Sequence, residues 1–128
     1  MRLNDKQQLA FDVPGTPVPK GRPRVGRYGA YTPKRTKAYE SKVKMYALKA
    51  RQEQGWKRTS GPVSMSIRIR GGRGDIDNVG KAIGDALNGI AYDDDKQIRT
   101  MVLARDTGDP GVSIIVWLAG EGPDYDQG

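Results

Sequence analysis

The chain has 128 residues, 36% of them hydrophobic, and a formal net charge of +7. A length near the common domain size of about 100–150 residues suits one domain. The absence of cysteine and histidine excludes a disulfide framework, a thiol nucleophile, an imidazole base and the usual zinc sites. No apolar run reaches the roughly 18–20 residues of a membrane span, and MRLNDKQQLAFDV lacks the features of a signal peptide. A cytoplasmic protein without a membrane partner is therefore expected.

Leu9, Phe11 and Val13 alternate with polar or small residues, which predicts a short strand ending at Pro14. From Pro14 to Thr36 five prolines and four glycines interrupt a run of basic and aromatic residues. That composition predicts a basic arm, about residues 15–35, without regular structure. From Thr36, a plausible N-cap, the residues Tyr39, Val43, Tyr46, Ala47 and Ala50 recur at helical spacing. This predicts a helix over about 36–54, closed by Gly55.

After the turn at Ser60-Gly61-Pro62, apolar Val63, Met65, Ile67 and Ile69 alternate with Ser64, Ser66, Arg68 and Arg70. The period of two predicts a strand with one wet, basic face. Over 78–90 the period changes: Val79, Ala82, Ile83, Ala86, Leu87 and Ile90 form an apolar helical stripe opposite Asn78, Lys81, Asp85 and Asn88, and Gly89 stops it. Two more strands, about 97–105 and 112–118, flank the turn formers Gly108-Asp109-Pro110-Gly111. The tail over 120–128 is expected to fray. The expected fold is thus a single small α/β (α+β) domain over 1–128, with its core at about 9–118 and a mixed sheet of about four strands packed with two helices.

Charge is unevenly placed. Residues 18–58 hold 13 Lys/Arg against Glu40 and Glu53, whereas residues 71–128 hold five Lys/Arg against 11 acids. A basic half suits a polyanion and an acidic half suits cations, which together fit a metal-dependent nuclease. Within the acidic half, Asp75 and Asp77 flank one residue of extended chain and so project to one side, about 6.5–7 Å apart along the backbone. As a bare pair they also fit a plainer arrangement, in which Asp77 caps the helix and Asp75 is solvated. The cluster Asp93-Asp94-Asp95 follows the helix, and a chain that returned along that helix would bring it to the pair. Carboxylates alone suit Mg²⁺ or Mn²⁺ rather than zinc. Lys81 lies one helical turn after Asp77, where it can either pair with Asp77 or Asp85 or reach a phosphate. Gly80 and Gly84 cost about 1 kcal/mol each in a helix relative to Ala, so a close neighbour is expected there, either another backbone or a DNA strand.

The run from Asp75 through Asp77-Asn78, Lys81, Asp85-Ala86-Leu87 and Asn88-Gly89 to Asp94-Asp95-Lys96-Gln97-Ile98 resembles the core of the RusA family of Holliday-junction resolvases. Pro17-Val-Pro19-Lys20-Gly21-Arg22-Pro23-Arg24 and Tyr31-Thr32-Pro33 are similar to its phage and prophage branch. The resemblance spans about 9–118. It implies a dimeric, Mg²⁺-dependent α/β nuclease that cuts four-way DNA junctions symmetrically, with Mn²⁺ as a substitute ion. It further implies Asp75, Asp77 and Asp95 as the essential metal-binding acids and Lys81 as the catalytic lysine. This chain carries three aspartates where the family has two; aligning on Gln97-Ile98 selects Asp94 and Asp95 and leaves Asp93 as the extra. If the loop turned directly into a strand, Asp93 and Asp95 would face one side and Asp94 the other.

The expected reaction is phosphodiester hydrolysis, with no small-molecule substrate. Lys20, Arg22, Arg24, Arg27, Tyr31, Lys34 and Arg35 are the expected DNA contacts of the arm. Two cuts in a two-fold junction call for a homodimer. The rival expectations are a DNA-binding accessory protein with structural acidic loops, and an endonuclease that prefers flaps or forks.

Overall fold

The computed structural model describes residues 7–21, 24–31 and 33–119, and for Arg24 and Tyr31 the backbone alone. Among these residues the chain order is β1 (Gln8–Pro14), β2 (Arg24–Gly26), β3 (Gly29–Tyr31), α1 (Lys34–Gln54), β4 (Val63–Arg70), α2 (Ile76–Ala86), β5 (Ile98–Asp106) and β6 (Gly111–Leu118). Four strands make one mixed sheet in the order β1-β6-β4-β5, as the alternating patterns imply. β6 runs antiparallel to both β1 and β4, while β4 and β5 are parallel.

The core is a single apolar layer between the sheet and the two helices. Val63, Met65, Ile67 and Ile69 of β4 share it with Val112, Ile114 and Val116 of β6 and with Leu9 and Val13 of β1. From the helices come Tyr39, Val43, Ala47 and Ala50, and Val79, Ala82, Ile83 and Ala86. Those of β1, β4 and the two helices were on apolar stripes of the sequence. Each fully buried aliphatic chain contributes about 1.5–3 kcal/mol through removal of its surface from water.

Several boundaries differ from expectation. α1 starts two residues before Thr36, and Pro33 is its N-cap; proline's fixed φ suits entry to a helix. Thr36 is instead buried, and its hydroxyl accepts the Gly21 N–H. Gly55 closes α1 in the left-handed region, at φ 70°, as its lack of a Cβ allows. α2 begins at Ile76 and ends at Ala86, earlier than the apolar stripe suggested. The last stripe residues, Leu87 and Ile90, stay in the core but follow turns. The arm is not wholly irregular, because β2 and β3 form a short antiparallel hairpin. Nor is the far side of β4 uniformly wet, since Ser64 is fully buried.

The close neighbour of the two α2 glycines is neither a backbone nor DNA. A Cβ on Gly80 would stand 2.9 Å from a methyl of Leu103, and one on Gly84 would touch Ile98, Met101 and Tyr92. The glycines therefore let α2 sit low on β5. Tyr92, fully buried, locks this arrangement by donating its hydroxyl to the Gly84 carbonyl at 2.7 Å. Replacing Tyr92 by Phe should leave that carbonyl unpaired and cost about 1 kcal/mol, a fall of about 4 °C in Tm. An unchanged melting temperature in calorimetry would show that the bond contributes nothing.

Candidate active site

Parallel pairing decides where the acids lie. β4 ends at Arg70 beside Asp106, and the loop 71–74 leads from there to Asp75 at the N-cap of α2. α2 then runs back along the sheet, and β5 starts again at the level of Val63, which pairs with Ile98. The Asp93-Asp94-Asp95 segment therefore stands at the opposite end of β4 from Asp75 and Asp77. An eight-residue strand rises about 23 Å between its end residues and an 11-residue helix about 16 Å, so the expected return of the second cluster along α2 does not occur within one chain. Consistent with this separation, no three acidic side chains among the described residues gather as a cation cage.

The first group is Asp75, Asp77 and Lys81. Asp75 adopts extended backbone at φ −76°, ψ 139° and makes no capping bond with its side chain. Asp77 occupies the first turn, where the positive end of the helix dipole favours an anion. Both carboxylates and the Lys81 ammonium are exposed. Of the two readings of Lys81, the ion pair is not made: among the described residues neither Asp77 nor Asp85 bonds to it. Asp85 is taken by Lys20, whose ammonium lies 3.0 Å from Asp85 and 2.8 Å from Glu40. Burial alone would lower the pKa of Lys20, but hydrogen bonds to Glu40 and Asp85 outweigh it and hold the group above its ordinary value. Lys20, expected as a DNA contact, is thus an internal tether of the arm. Its backbone N–H also donates to the Asn78 carbonyl.

The second group is Asp94, Asp95, Asp85 and Asn88. Residues Asp95–Gln97 form a 3-10 turn before β5, so strand alternation does not orient Asp93 and Asp94. Asp94 is the N-cap of that turn: its carboxylate accepts the Lys96 N–H, which holds its pKa below the usual carboxylate range. Gln97 completes the cap through the Asp94 N–H and donates to the Thr59 and Gly61 carbonyls. The glutamine of the motif therefore fastens this acidic loop to the chain leading into β4. Asp93 points elsewhere, into an ion pair with Arg58. Asp95 is partly buried, and burial, its hydrogen bond with Asp94 and the charge of Asp85 raise its pKa. Asn88 has a buried side-chain oxygen with no hydrogen-bond partner among the described residues.

The arm frames the first group. Pro17 packs on Gly72 and Pro19 on Gly74; a Cβ on Gly72 would meet the Pro17 carbonyl at 3.0 Å. Arg105 of β5 grips the same loop, donating to the Gly71 and Gly74 carbonyls at 3.0 Å each. No local signal marks Arg105, because only the parallel register brings it beside the loop. Of the other arm residues, Arg27 is exposed at the tip of the hairpin, and Lys34 and Arg35 are exposed at the start of α1. Arg22 lies outside the described residues, as do the side chains of Arg24 and Tyr31.

A protein-family model described as endodeoxyribonuclease RusA matches residues 14–117. The chain belongs to the RusA family. The match takes in the arm, both acidic groups, β4, β5 and all of β6 but Leu118, and of β1 only Pro14. No curated protein matches the chain. RusA-family membership makes the chain a DNA endonuclease by class and accounts for a fold that exposes carboxylates beside a basic arm. No helix among the described residues is long and apolar enough to cross a membrane.

Asp95 also has a consequence for stability. A carboxyl raised above its unfolded pKa has its charged form disfavoured in the fold. Folding therefore loses stability as pH rises through the folded value, and the loss is absent below the unfolded one. Asp95→Asn should melt higher than wild type at neutral pH in the metal-free protein, with about 4 °C for each kcal/mol of repulsion relieved. The gain should vanish in acid below the carboxylate range. A variant that melts lower than wild type at neutral pH would show that the Asp95 carboxylate stabilises the loop.

Proposed function

We propose that the protein is a divalent-cation-dependent endonuclease that resolves four-way DNA junctions as a homodimer. The observation that carries this reading is the division of the acids: Asp75 and Asp77 at one end of α2, Asp95 at the other. In kind, these all-oxygen donors suit Mg²⁺ or Mn²⁺; in position, one chain does not bring them together. Two α2 helices lying antiparallel about a two-fold axis would set Asp75 and Asp77 of one protomer against the Asp95 end of its partner, twice. Such a dimer has two equivalent sites, the number needed to cut two strands of a two-fold junction.

A divalent ion held there would neutralise charge on the phosphate and ease ionisation of the attacking water. The residues of the chain do the remaining work. Lys81, exposed and without an ion pair among the described residues, is placed to stabilise charge developing on the phosphoryl or leaving oxygen. Asp94 and Gln97 hold the loop that carries Asp95. The basic arm adds phosphate contacts that position the junction without reading its bases.

Asp75→Asn, Asp77→Asn and Asp95→Asn should each lower single-turnover cleavage of a four-way junction by at least about a hundredfold, while junction binding stays equal or tightens. Lys81→Ala should fall by a similar factor, as for loss of one preorganised charge-stabilising group. Asp94→Asn should keep partial activity because an amide oxygen can still accept from Lys96, and Asp93→Asn should be nearly silent. Retained cleavage in the Asp95 variant, with loss in the Asp93 variant, would overturn this assignment. Comparison of four-way, flap and duplex substrates would test the preference for junctions.

A further inference from the structure

A cleft of about 460 Å³ opens between the arm and the loop before α2, lined by Thr16, Pro17, Pro19, Arg35, Gly72, Arg73 and Gly74. It adjoins Asp75 directly, since Gly74 is the preceding residue. Its walls are pinned. Arg105 holds the loop by two carbonyls, and the arm is held through Lys20 and through the Gly21 N–H on Thr36. The two cations in it come from different elements, Arg35 from the first turn of α1 and Arg73 from the loop.

Of the nine arginines whose side chains are described, Arg51, Arg58, Arg68, Arg70 and Arg105 donate to carbonyls, carboxylates or a hydroxyl. Arg35 and Arg73 are exposed and have no such partner among the described residues, and they share one cleft with no acid in its lining. That chemistry rejects a metal ion and favours an anion. The lining also argues against recognition of a base, because the prolines lack an N–H to donate and no aromatic ring among the described residues lines the cleft to stack. A guanidinium, by contrast, matches the geometry of phosphate oxygens. The volume suits one nucleotide's length of backbone rather than a duplex.

We propose that this cleft is a backbone-phosphate subsite, in which Arg35 and Arg73 together grip one phosphodiester of the cut strand beside the phosphate that lies at Asp75 and Asp77. The assignment rests on the nuclease reading for its choice of DNA as the ligand. Its role is to set which phosphate of the strand reaches the acids. A pinned loop and arm present both guanidiniums in place, so little order has to be created on binding.

The test is junction binding by the full chain in EDTA, read by fluorescence anisotropy over a range of salt. The variants are Arg35→Ala, Arg73→Ala, their double, and a control of equal charge loss, Lys44→Ala with Lys49→Ala, from the exposed side of α1. Both arginines are exposed, so the fold should survive, and thermal melting verifies it. Each single variant should weaken binding roughly tenfold, as for one charged hydrogen-bonding partner, and lower the log–log salt slope by about 0.9, the value for one phosphate. The double should be little weaker than either single, since both lose the same phosphate. With Mg²⁺ added, cleavage at saturating junction should spread from the preferred phosphate to its neighbours. An equal loss in the lysine control would mean that only the overall field acts and would overturn the subsite. Independent, multiplying losses would overturn the shared phosphate. Micromolar binding of orthophosphate or a mononucleotide, lost in the double variant, would make the cleft a small-anion site and overturn the DNA assignment. A wild type that binds junctions through these arginines yet never cuts them would leave the subsite standing and remove the nuclease reading instead.

Discussion

The parallel hydrogen bonding of β4 to β5 governs where chemistry can occur in this chain. Parallel neighbours cannot be joined by a tight turn, so the chain must travel the length of the sheet before β5 begins. That journey is made by α2. Its N-terminus inherits the carboxylates of Asp75 and Asp77 from the end of β4, and the loop at its far end delivers Asp95 to the start of β5. Helix and strand are both stiff, so the separation is fixed by geometry rather than by loop conformation. Gly80 and Gly84 deepen the constraint by letting α2 rest against Leu103, Met101 and Ile98.

The sequence made the elements legible because each buries one face, and the periods of two and 3.6 are written in the apolar residues. Val63 to Ile69 and Val79 to Ile83 are plain cases. The acids themselves were equally plain, as the hard oxygen donors of a chain without His or Cys. What the sequence did not contain was direction. Nothing in Ile98 to Asp106 says whether that strand lies parallel or antiparallel to β4, and the choice decides whether Asp95 returns to Asp77. Pairings set across the fold were hidden in the same way: Arg105 on the 71–74 loop, Lys20 on Asp85, Gln97 on Thr59 and Gly61. The cap at Asp94 has a local signature, Asp three residues before Gln, which resembles the usual capping box.

Stability and function pull apart at the two acidic groups. Asp77 gains from the helix dipole, but Asp95 is partly buried beside Asp94 and Asp85, where its charge is disfavoured. The fold tolerates it because Gln97 and the Tyr92 hydroxyl fasten the surrounding turns. On the basic side Lys20 is held by Glu40 and Asp85, whereas Arg35 and Arg73 make no ion pair among the described residues.

The proposed dimer draws Asp75 and Asp77 of each active site from one protomer and Asp95 from the other, and mixed dimers distinguish this from a site built within one chain. Asp75→Asn and Asp95→Asn chains carrying different tags would be co-expressed, the heterodimer purified through both tags, and its nicking of a four-way junction measured in Mg²⁺. In a shared arrangement one site of the heterodimer combines both changes and the other combines none, so the mixture of two inactive chains should nick one strand at close to the wild-type rate per intact site. If each chain instead built its own site, both sites would carry a change. A heterodimer as inactive as its parents would contradict the account.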